Sequence, residues 1–502
     1  MADVLLIYPK TGFDVEGAIA PPFALLTTAA PLLDAGYKVK IIDQRVDPSW
    51  ESNLKDELRK TRLYAGTTSM SGTQIRFALQ ISKIAREYAK EIPIVWGGTH
   101  PTILPAQTLE NPNIDIVVEG EGEITVLELT KALEKNKDLK SVSGIHFKKK
   151  DGSQISTGPR PFMNLDEMLP TPWELINPEN YIYKDFYIRD VKRTMDIGQT
   201  SRGCPYSCGY CSSSAIRRYW RPMSAKKAVE RIINDVRRFR LDSVWIRDDN
   251  FFASLERARQ ICQGMIDAGL NIKWYTSGTR ADAINRMTHE QIATFKKAGA
   301  EVFKIGAESG SNTILKLINK KCTVEELYAA NMKSKKYDII PAMSFMGGFP
   351  TETYDELMQT IECMLRVKKD NPNAQVESMC IYTPYPQTDL WPLAMKHGLK
   401  PPQKLEEWGD WGFHDFNERR NPWLKPAERR RLGNITYISS LASVVDNLTN
   451  SISNPVKRIL TKVIVKPMSS YYRWRFNHKL FNWLPELTLI RWVRHKMFDE
   501  AK

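Results

Sequence analysis

Three cysteines fall within eight residues, in the run Gly203-Cys204-Pro205-Tyr206-Ser207-Cys208-Gly209-Tyr210-Cys211. Thiolates at C-x3-C-x2-C spacing on one short loop are candidate metal ligands. Iron–sulfur clusters usually take four cysteines. Three therefore leave one iron open, and an open iron can chelate the amino and carboxylate groups of a small cofactor. Structural zinc asks for four N or S ligands, and no fourth Cys or His lies within thirty residues of the loop. A disulfide between any two of these cysteines would strand the third. The other four of the seven cysteines, Cys262, Cys322, Cys363 and Cys380, are scattered and are expected to be buried small apolar residues. The distribution fits a reducing cytoplasm with one cysteine-rich site, not a disulfide scaffold.

Two series of β-α repeats are available to position such a loop. In the first 135 or so residues, strands are expected at Val4–Tyr8, Val39–Asp43, Leu63–Thr67, Ile94–Gly97 and Ile114–Glu119. Each is short and apolar throughout, as a parallel strand buried on both faces should be. Amphipathic stretches such as Thr73–Lys90 lie between them, and five such repeats argue a doubly wound, Rossmann-like α/β domain over 1–140. Ligands of such sheets bind beyond the carboxyl ends of the strands. Those ends carry Ser69, Met70, Ser71 and Gly72, then Gly97, Gly98 and His100, then Gly120, Glu121 and Gly122. All are small or polar, which lets a flat ligand approach the backbone, although glycines also simply terminate strands.

From 141 to 192 the pattern decays into a connector, with a hairpin turn at Lys148–Ser153 and prolines at 159, 161, 170 and 172. The second series follows over 193–400, with strands expected at Thr194–Gln199, Ser243–Arg247, Ile272–Ser277, Val302–Gly306, Ile339–Met346 and Gln375–Tyr382. Its first helix is marked by the apolar stripe Val229, Ile232, Ile233 and Val236, with Ser224 as its cap. Six such units predict a partial (β/α)6 barrel, open on one side. Barrel chemistry sits at the carboxyl ends of strands, and the cysteine loop directly follows the first strand. Residues 401–502 read as a helical region rich in Trp and Arg.

At this point the sequence resembles the radical S-adenosylmethionine superfamily, in which the residue before the third cysteine is aromatic, as Tyr210 is here. The resemblance implies a [4Fe–4S] cluster on Cys204, Cys208 and Cys211 as both metal ligands and catalytic residues. S-adenosylmethionine would bind the open iron and be cleaved by one electron to a 5′-deoxyadenosyl radical, with the electron coming from an external donor such as flavodoxin or ferredoxin. The loops after the next four strands match the family's S-adenosylmethionine contacts in order. Asp248 and Asp249 stand at the amino-group position, and Arg280 beside a carboxylate. Glu308 and Ser309 fall where ribose or amino group is reached, and Gly347 and Gly348 on the adenine side.

A doubly wound domain ahead of such a barrel is similar to the cobalamin-binding members of this superfamily, which include the anaerobic magnesium-protoporphyrin monomethyl ester cyclase and many C-methyltransferases. The similarity covers about residues 1–400, including the connector Asn164–Leu175. It implies a cobalamin against the strand-end residues between Ser69 and Gly122 named above. The Asp-x-His-x-x-Gly motif that offers cobalt a histidine elsewhere is absent, and His100 stands in a different loop. The implied reaction is methyl transfer to an unactivated carbon; the alternatives are radical oxidation or ring closure without net methylation, and a non-catalytic iron–sulfur protein.

The 502 residues, 42% of them apolar and 13 of them Trp, are enough for two or three packed domains. No run of some twenty apolar residues marks a spanning helix, and Met1–Ile7 has no basic flank and reads as a first strand, not a signal peptide. The formal charge of +14 is concentrated at the end: residues 455–497 hold ten Lys or Arg against the single acid Glu486. The cations there are Lys457, Arg458, Lys462, Lys466, Arg473, Arg475, Lys479, Arg491, Arg494 and Lys496, interleaved with Tyr471, Tyr472, Trp474, Phe476, Phe481, Trp483 and Trp492. That mixture fits an anionic membrane surface, and hence a cytoplasmic protein with peripheral membrane contact. Nucleic acid is the competing partner, but no nucleic-acid motif accompanies the segment; a solvated basic face packed on the barrel is the plain alternative.

Overall fold

The computed structural model describes residues 2–482 except 13, 15–18, 150, 186, 189, 217–218, 413–420 and 452–454, together with Leu484 and Glu486. The first domain is built on β1 (Val4–Tyr8), β2 (Val39–Asp43), β3 (Tyr64–Thr68), β4 (Ile94–Gly97), β5 (Ile116–Val118), β6 (Ile145–Lys148) and β7 (Gln154–Ser156). They form one sheet in the order β2-β1-β3-β4-β5-β6-β7. The first five run parallel, and β6 and β7 close the edge as an antiparallel hairpin. The strands are short runs of apolar residues because helices such as Phe23–Asp34, Thr73–Tyr88 and Gly122–Glu134 cover the sheet. β1 has neighbours on both sides, so chain order reverses between β1 and β3, and a crevice opens at the strands' carboxyl ends. Part of the stretch expected as connector therefore belongs to this sheet: β6 and β7 pair because the Lys148–Ser153 turn lets the chain fold back along β5.

The second sheet contains β8 (Thr194–Asp196), β11 (Ser243–Ile246), β12 (Lys273–Thr279), β13 (Ala300–Glu308), β14 (Ile340–Gly347) and β15 (Gln375–Val376), hydrogen-bonded in that order and parallel throughout. A short hairpin of β9 (Ser201–Arg202) and β10 (Arg221–Pro222) brackets the cysteine loop, and β16 (Cys380–Ile381) pairs with the end of β14. Among the described residues β15 does not pair with β8, so the barrel stays open. Alternation sorts the strand residues: Trp274 joins the outer core against the helices, whereas Tyr275, Val302 and Ala342 face inward. There they pack on Ile188 and Val191, so the connector plugs the bottom of the barrel.

The connector also joins the domains. Trp173 is buried between Phe23 and Phe239, with ring centroids at 5.8 and 5.1 Å, and donates to Asp235 at 2.9 Å. Tyr181 donates to Asp43 of β2 at 2.8 Å. A second tie is the segment after residue 400. Trp408 packs against His100, ring centroids 5.4 Å apart and planes tilted by 57°, and donates from Nε1 to Gln107 at 2.6 Å, while its carbonyl accepts from Gly72 N–H.

Beyond it, the helices Pro426–Ser451 and Pro455–Asn477 pack on each other, and Leu432, Ile435 and Ile438 are buried. The aromatic tail divides. Tyr472, Phe476 and Phe481 enter the core, and Arg475 pairs with Glu486 at 3.0 Å, whereas Tyr471 and Trp474 are about half exposed, at 49% and 50%. Trp483, Arg491, Trp492, Arg494 and Lys496 lie outside the described residues, as do the side chains of Lys457, Arg458 and Lys462. Among the described residues no helix is long and apolar enough to cross a membrane.

Trp408 is 1% exposed and packs between His100 of the first domain and Trp391, which follows the last barrel strand. Trp408→Ala is expected to cost about 3–5 kcal/mol in urea unfolding; a loss under about 1 kcal/mol would show that the segment rests on the first domain without holding it.

Candidate active site

Two cavities open at the carboxyl ends of the two sheets. The first, about 340 Å³, lies inside the barrel mouth and is lined by Cys204, Cys208 and Cys211 together with Tyr210, Asp249, Asn250, Arg280, Glu308 and Lys320. The loop that carries the thiols is held at Gly209 through both its N–H and its carbonyl. Gly209 N–H donates to Ile318 O at 2.8 Å, and Gly209 O accepts from Leu390 N–H at 2.9 Å. Arg280 Nη1 stands 3.6 Å from Cys208 Sγ, and Asn250 Nδ2 stands 3.7 Å from Cys204 Sγ. Among the described residues no three Cys, His, Asp or Glu side chains converge on a single-ion site. Three cysteines around one cavity without convergence suit a cluster, whose ligands sit on separate irons, better than one metal ion.

The acids expected at the strand ends take different places. Asp249 lines the cavity and accepts from Gly203 N–H at 3.0 Å. Asp248 does not line it: alternation turns its carboxylate the other way, where Thr200 Oγ1 and Ser201 Oγ donate to it at 2.8 and 2.6 Å. Burial pushes the Asp248 carboxyl up, and those hydrogen bonds oppose the shift. It thus braces the root of the cysteine loop.

Glu308 lines the cavity in a left-handed conformation, φ 64°, accepting from Tyr210 OH at 2.6 Å and from Lys320 Nζ at 2.8 Å. A side chain at Gly306 would run into that carboxylate, which explains the glycine. Burial, and then the Glu308 charge, raise the Tyr210 phenol well above its ordinary value, so it stays a donor. Burial alone would lower the Lys320 ammonium, but Glu308 outweighs it.

Ser309 is fully buried against Thr360 Oγ1 at 3.0 Å and lies off the cavity. Gly347 and Gly348 also lie off it. They give close passage to Leu432, and Gly348 O accepts from Trp423 Nε1 at 3.0 Å. Arg280 has little freedom: it stacks 3.6 Å from the Tyr206 ring and donates to Asp282 and to Lys320 O.

The second cavity, about 380 Å³, lies between the domains. Met70, Gly97, Gly98, Gly120, Glu121 and Gly122 line it, with Tyr8, Thr67, Thr68 and Gln74 beside them and Arg202, Arg231 and Arg247 facing them from the barrel. Its floor is smooth: Gly120 has nothing within 4 Å of a would-be Cβ, and Gly97 meets only Val118, at 3.9 Å. Gly98, at φ 97°, admits no side chain without striking Thr68 Oγ1.

Ser69, Ser71, Gly72 and His100 do not line this cavity. His100 turns under Trp408, with Nδ1 2.9 Å from Ser71 Oγ and Nε2 buried without a partner. Burial brings its pKa down to about 3, so the ring is neutral. Among the described residues no histidine lines the cavity. A flat ligand with an unligated lower face fits this floor; one needing an axial histidine from the protein does not.

Two positions at the cavities carried no signal in the sequence beyond a charged side chain. One is Lys320, which follows the helix Asn312–Leu317 and not a strand. The other, Arg202, is the more consequential. It is buried, pairs with Glu123 at 2.6 Å and Glu121 at 3.3 Å, and lies directly opposite Arg221 in the β9–β10 hairpin. Arg221 grips the same Glu121. Burial would raise the Glu123 carboxyl, but Arg202 more than reverses this and holds it below its ordinary range.

Comparison with known proteins finds a family for each of the two domains. The profile of the Radical SAM superfamily matches residues 199–364, and that of the B12 binding domain matches residues 10–130. An uncharacterized methyltransferase of Pyrococcus horikoshii is 30% identical over 402 residues, 79% of this chain and 84% of the relative. The anaerobic magnesium-protoporphyrin IX monomethyl ester cyclase of Synechocystis is 28% identical over 77% of this chain and 75% of its own length. Among solved structures, the cobalamin-dependent S-adenosylmethionine radical enzyme OxsB with aqua-cobalamin bound superposes with a TM-score of 0.73, at 19% identity, over 99% of this chain and 76% of OxsB. TsrM of Kitasatospora setae, with cobalamin and a [4Fe–4S] cluster, gives 0.63 at 17% identity over 80% of each chain. These two likenesses speak for the fold.

His100 tests the assignment of the second cavity. A buried neutral histidine stabilises the fold above pH 6.5, its unfolded value, and that contribution is lost as pH falls from there toward about 3. His100→Gln is therefore expected to lessen acid destabilisation by roughly 2 kcal/mol between pH 7 and 4.5 in urea unfolding, with cobalamin retention unchanged. Loss of cobalamin at pH 7 would mean that the ring reaches the ligand after all.

Proposed function

This chain belongs to the radical SAM superfamily, in the group that carries a B12 binding domain, and we propose that it is a methyltransferase acting on an unactivated carbon. Its cofactors are a [4Fe–4S] cluster, S-adenosylmethionine and cobalamin. When bound, they supply an organic radical able to abstract hydrogen and a methyl group held on cobalt. The observation that carries the reading is the adjacency of the two cavities, each at the carboxyl ends of its own sheet and both walled by the segments that follow β8 and β11.

The chain's own residues divide the work. Cys204, Cys208 and Cys211 would hold the cluster, with Arg280 beside Cys208 keeping positive charge next to a thiolate. Asp249, Asn250 and Glu308 would orient S-adenosylmethionine at the open iron. Asn250 Oδ1 is buried without a partner, an acceptor that suits an amino group. Lys320 fixes the Glu308 carboxylate. Thr67, Thr68, Met70, Gly97, Gly98, Gly120, Glu121 and Gly122 would cradle cobalamin. Ile188 and Val191 close the barrel floor against water. Reduction of the cluster requires an external one-electron donor such as a flavodoxin or ferredoxin. Ring closure without methylation is the second reading, because the cyclases share about the same span as the methyltransferase.

Anaerobic reconstitution tests the proposal. Protein given iron, sulfide, cobalamin, S-adenosylmethionine and dithionite is expected to form 5′-deoxyadenosine and to show both cluster and cobalamin absorbance. Cys208→Ala is expected to abolish the first product. Lys320→Met, which removes the ammonium's hydrogen bonds to Glu308 and Tyr210, is expected to slow it about tenfold to hundredfold. An intact cluster that yields no 5′-deoxyadenosine would reject the enzyme.

The exposed Tyr471 and Trp474, beside Lys466 and Arg473, support peripheral contact with an anionic membrane. Tyr471→Ser with Trp474→Ser is expected to abolish sedimentation with anionic vesicles, and sedimentation equal to wild type would refute the contact.

A further inference from the structure

The wall between the two cavities carries an arginine whose hydrogen-bonding edge is open. Trp245 and Arg247 are two residues apart at the end of β11 and share its inner face. Trp245 stacks on Tyr275, with centroids at 5.4 Å and planes at 18°, and its Nε1 donates to Ser277 Oγ at 2.6 Å. The Arg247 guanidinium lies 3.9 Å from the Trp245 ring and donates from Nε to Asp196. The other Asp196 oxygen accepts from Gly198 N–H at 2.7 Å. Asp196 and Trp245 thus fix the plane of the guanidinium and leave its far edge, Nη1 and Nη2, without a protein acceptor among the described residues. The side chain is 42% exposed, and Arg247 lines the interdomain cavity, whereas Ser277 lines the cysteine cavity.

The other cations around these cavities have their charged ends engaged, although Arg231 Nε is buried without a partner. Arg202 is paired with Glu121 and Glu123. Arg231 donates from both Nη atoms to the carbonyls of Gln199 and Ile197, each at 2.9 Å. Lys304, 5.8 Å from the Trp245 ring, meets Tyr187 OH at 2.9 Å and Glu377 at 3.4 Å. Arg247 alone of these four combines a fixed plane with two free donors.

We propose that Arg247 binds an acidic group of the substrate, so that the substrate is an anionic organic molecule anchored by a carboxylate or phosphate at the partition between the cavities. The assignment rests on the reading that the substrate lies between the two cofactors. A planar fork with both Nη atoms free matches two oxygens of one anionic group. A neutral ligand closing the cavity to water would leave charged donors unmade, which is costly. Lysine at this position would give a point charge without the fork.

Crystals of the full chain, reconstituted anaerobically with cluster and cobalamin, should be soaked with tungstate, a tetrahedral oxyanion standing in for phosphate, or with para-bromobenzoate, a carboxylate. An anomalous peak is expected within hydrogen-bond reach of the Arg247 Nη atoms, from tungstate if the group is a phosphate, from bromobenzoate if it is a carboxylate, and from both if the site takes either. The peak should vanish in Arg247→Gln and return with tungstate in Arg247→Lys. Calorimetric titration of the same proteins should show at least about a tenfold weaker binding for Arg247→Gln. Cobalamin density in the variant crystals reports that the domains still fold together. Cobalamin present with no peak on Arg247, or an equal peak in Arg247→Gln, overturns the proposal. A peak on Arg247 without cobalamin keeps the anion site and rejects the two-cofactor reading instead.

Discussion

The arrangement depends on one buried ion-pair network, Arg202 and Arg221 on the β9–β10 hairpin holding Glu121 and Glu123 of the first domain. Arg202 immediately precedes Gly203 and Cys204, and Glu121 lies between two glycines on the floor of the interdomain cavity. The network therefore joins the root of the cysteine loop to the loop that would carry the second cofactor. Removing one member of such a buried network leaves the others charged and unpaired, typically a loss of about 3–5 kcal/mol. Hydrophobic burial could join the domains without it. What the charges add is register, because the antiparallel pairing of Arg202 with Arg221 lets both reach Glu121 only in one alignment.

From that fixed point the rest of the site follows. Asp248 holds residues 200 and 201, and Asp249 holds Gly203, so consecutive residues of one strand end brace the cysteine loop from both sides of the strand. Leu390 N–H reaches Gly209 O, and the chain beyond it runs on to Trp408, which packs on His100 in the first domain. The loop bearing the thiols is thereby tied to the first domain at both ends. A reaction that passes a carbon fragment between two cofactors needs that rigidity, since a small misplacement of reacting groups is expensive in rate.

Much of this was legible in the sequence. β1, β2 and β4 lie at the expected residues, because a short apolar run ending in glycine or a polar residue has few other uses in an α/β chain. The last expected strand, Gln375–Tyr382, splits into β15 and β16, where the barrel edge has only one neighbour to hold it straight. The cysteine loop was legible from its spacing together with its place after the first barrel strand. Its supporting charges were not. Arg202 and Lys320 look like ordinary surface cations in one dimension, and only the fold shows them buried beside acids 79 and 12 residues away. His100 failed for the opposite reason. A histidine in a strand-end loop resembles a ligand, but Trp408, some three hundred residues later, takes it into the core. Ser309, Gly347 and Gly348 sit beside the right strand ends, yet packing against Thr360 and Leu432 turns them from the cavity.

The central claim is that the two cavities form one reaction space. Pulsed electron paramagnetic resonance of protein holding both a reduced [4Fe–4S] cluster and cob(II)alamin tests it most directly, because dipolar coupling between two spins falls with the cube of their separation. The account predicts a resolved interaction between the two centres, lost when either cofactor is omitted and weakened when Glu121 and Glu123 are both replaced by Gln. Two unperturbed spectra that simply add would contradict it.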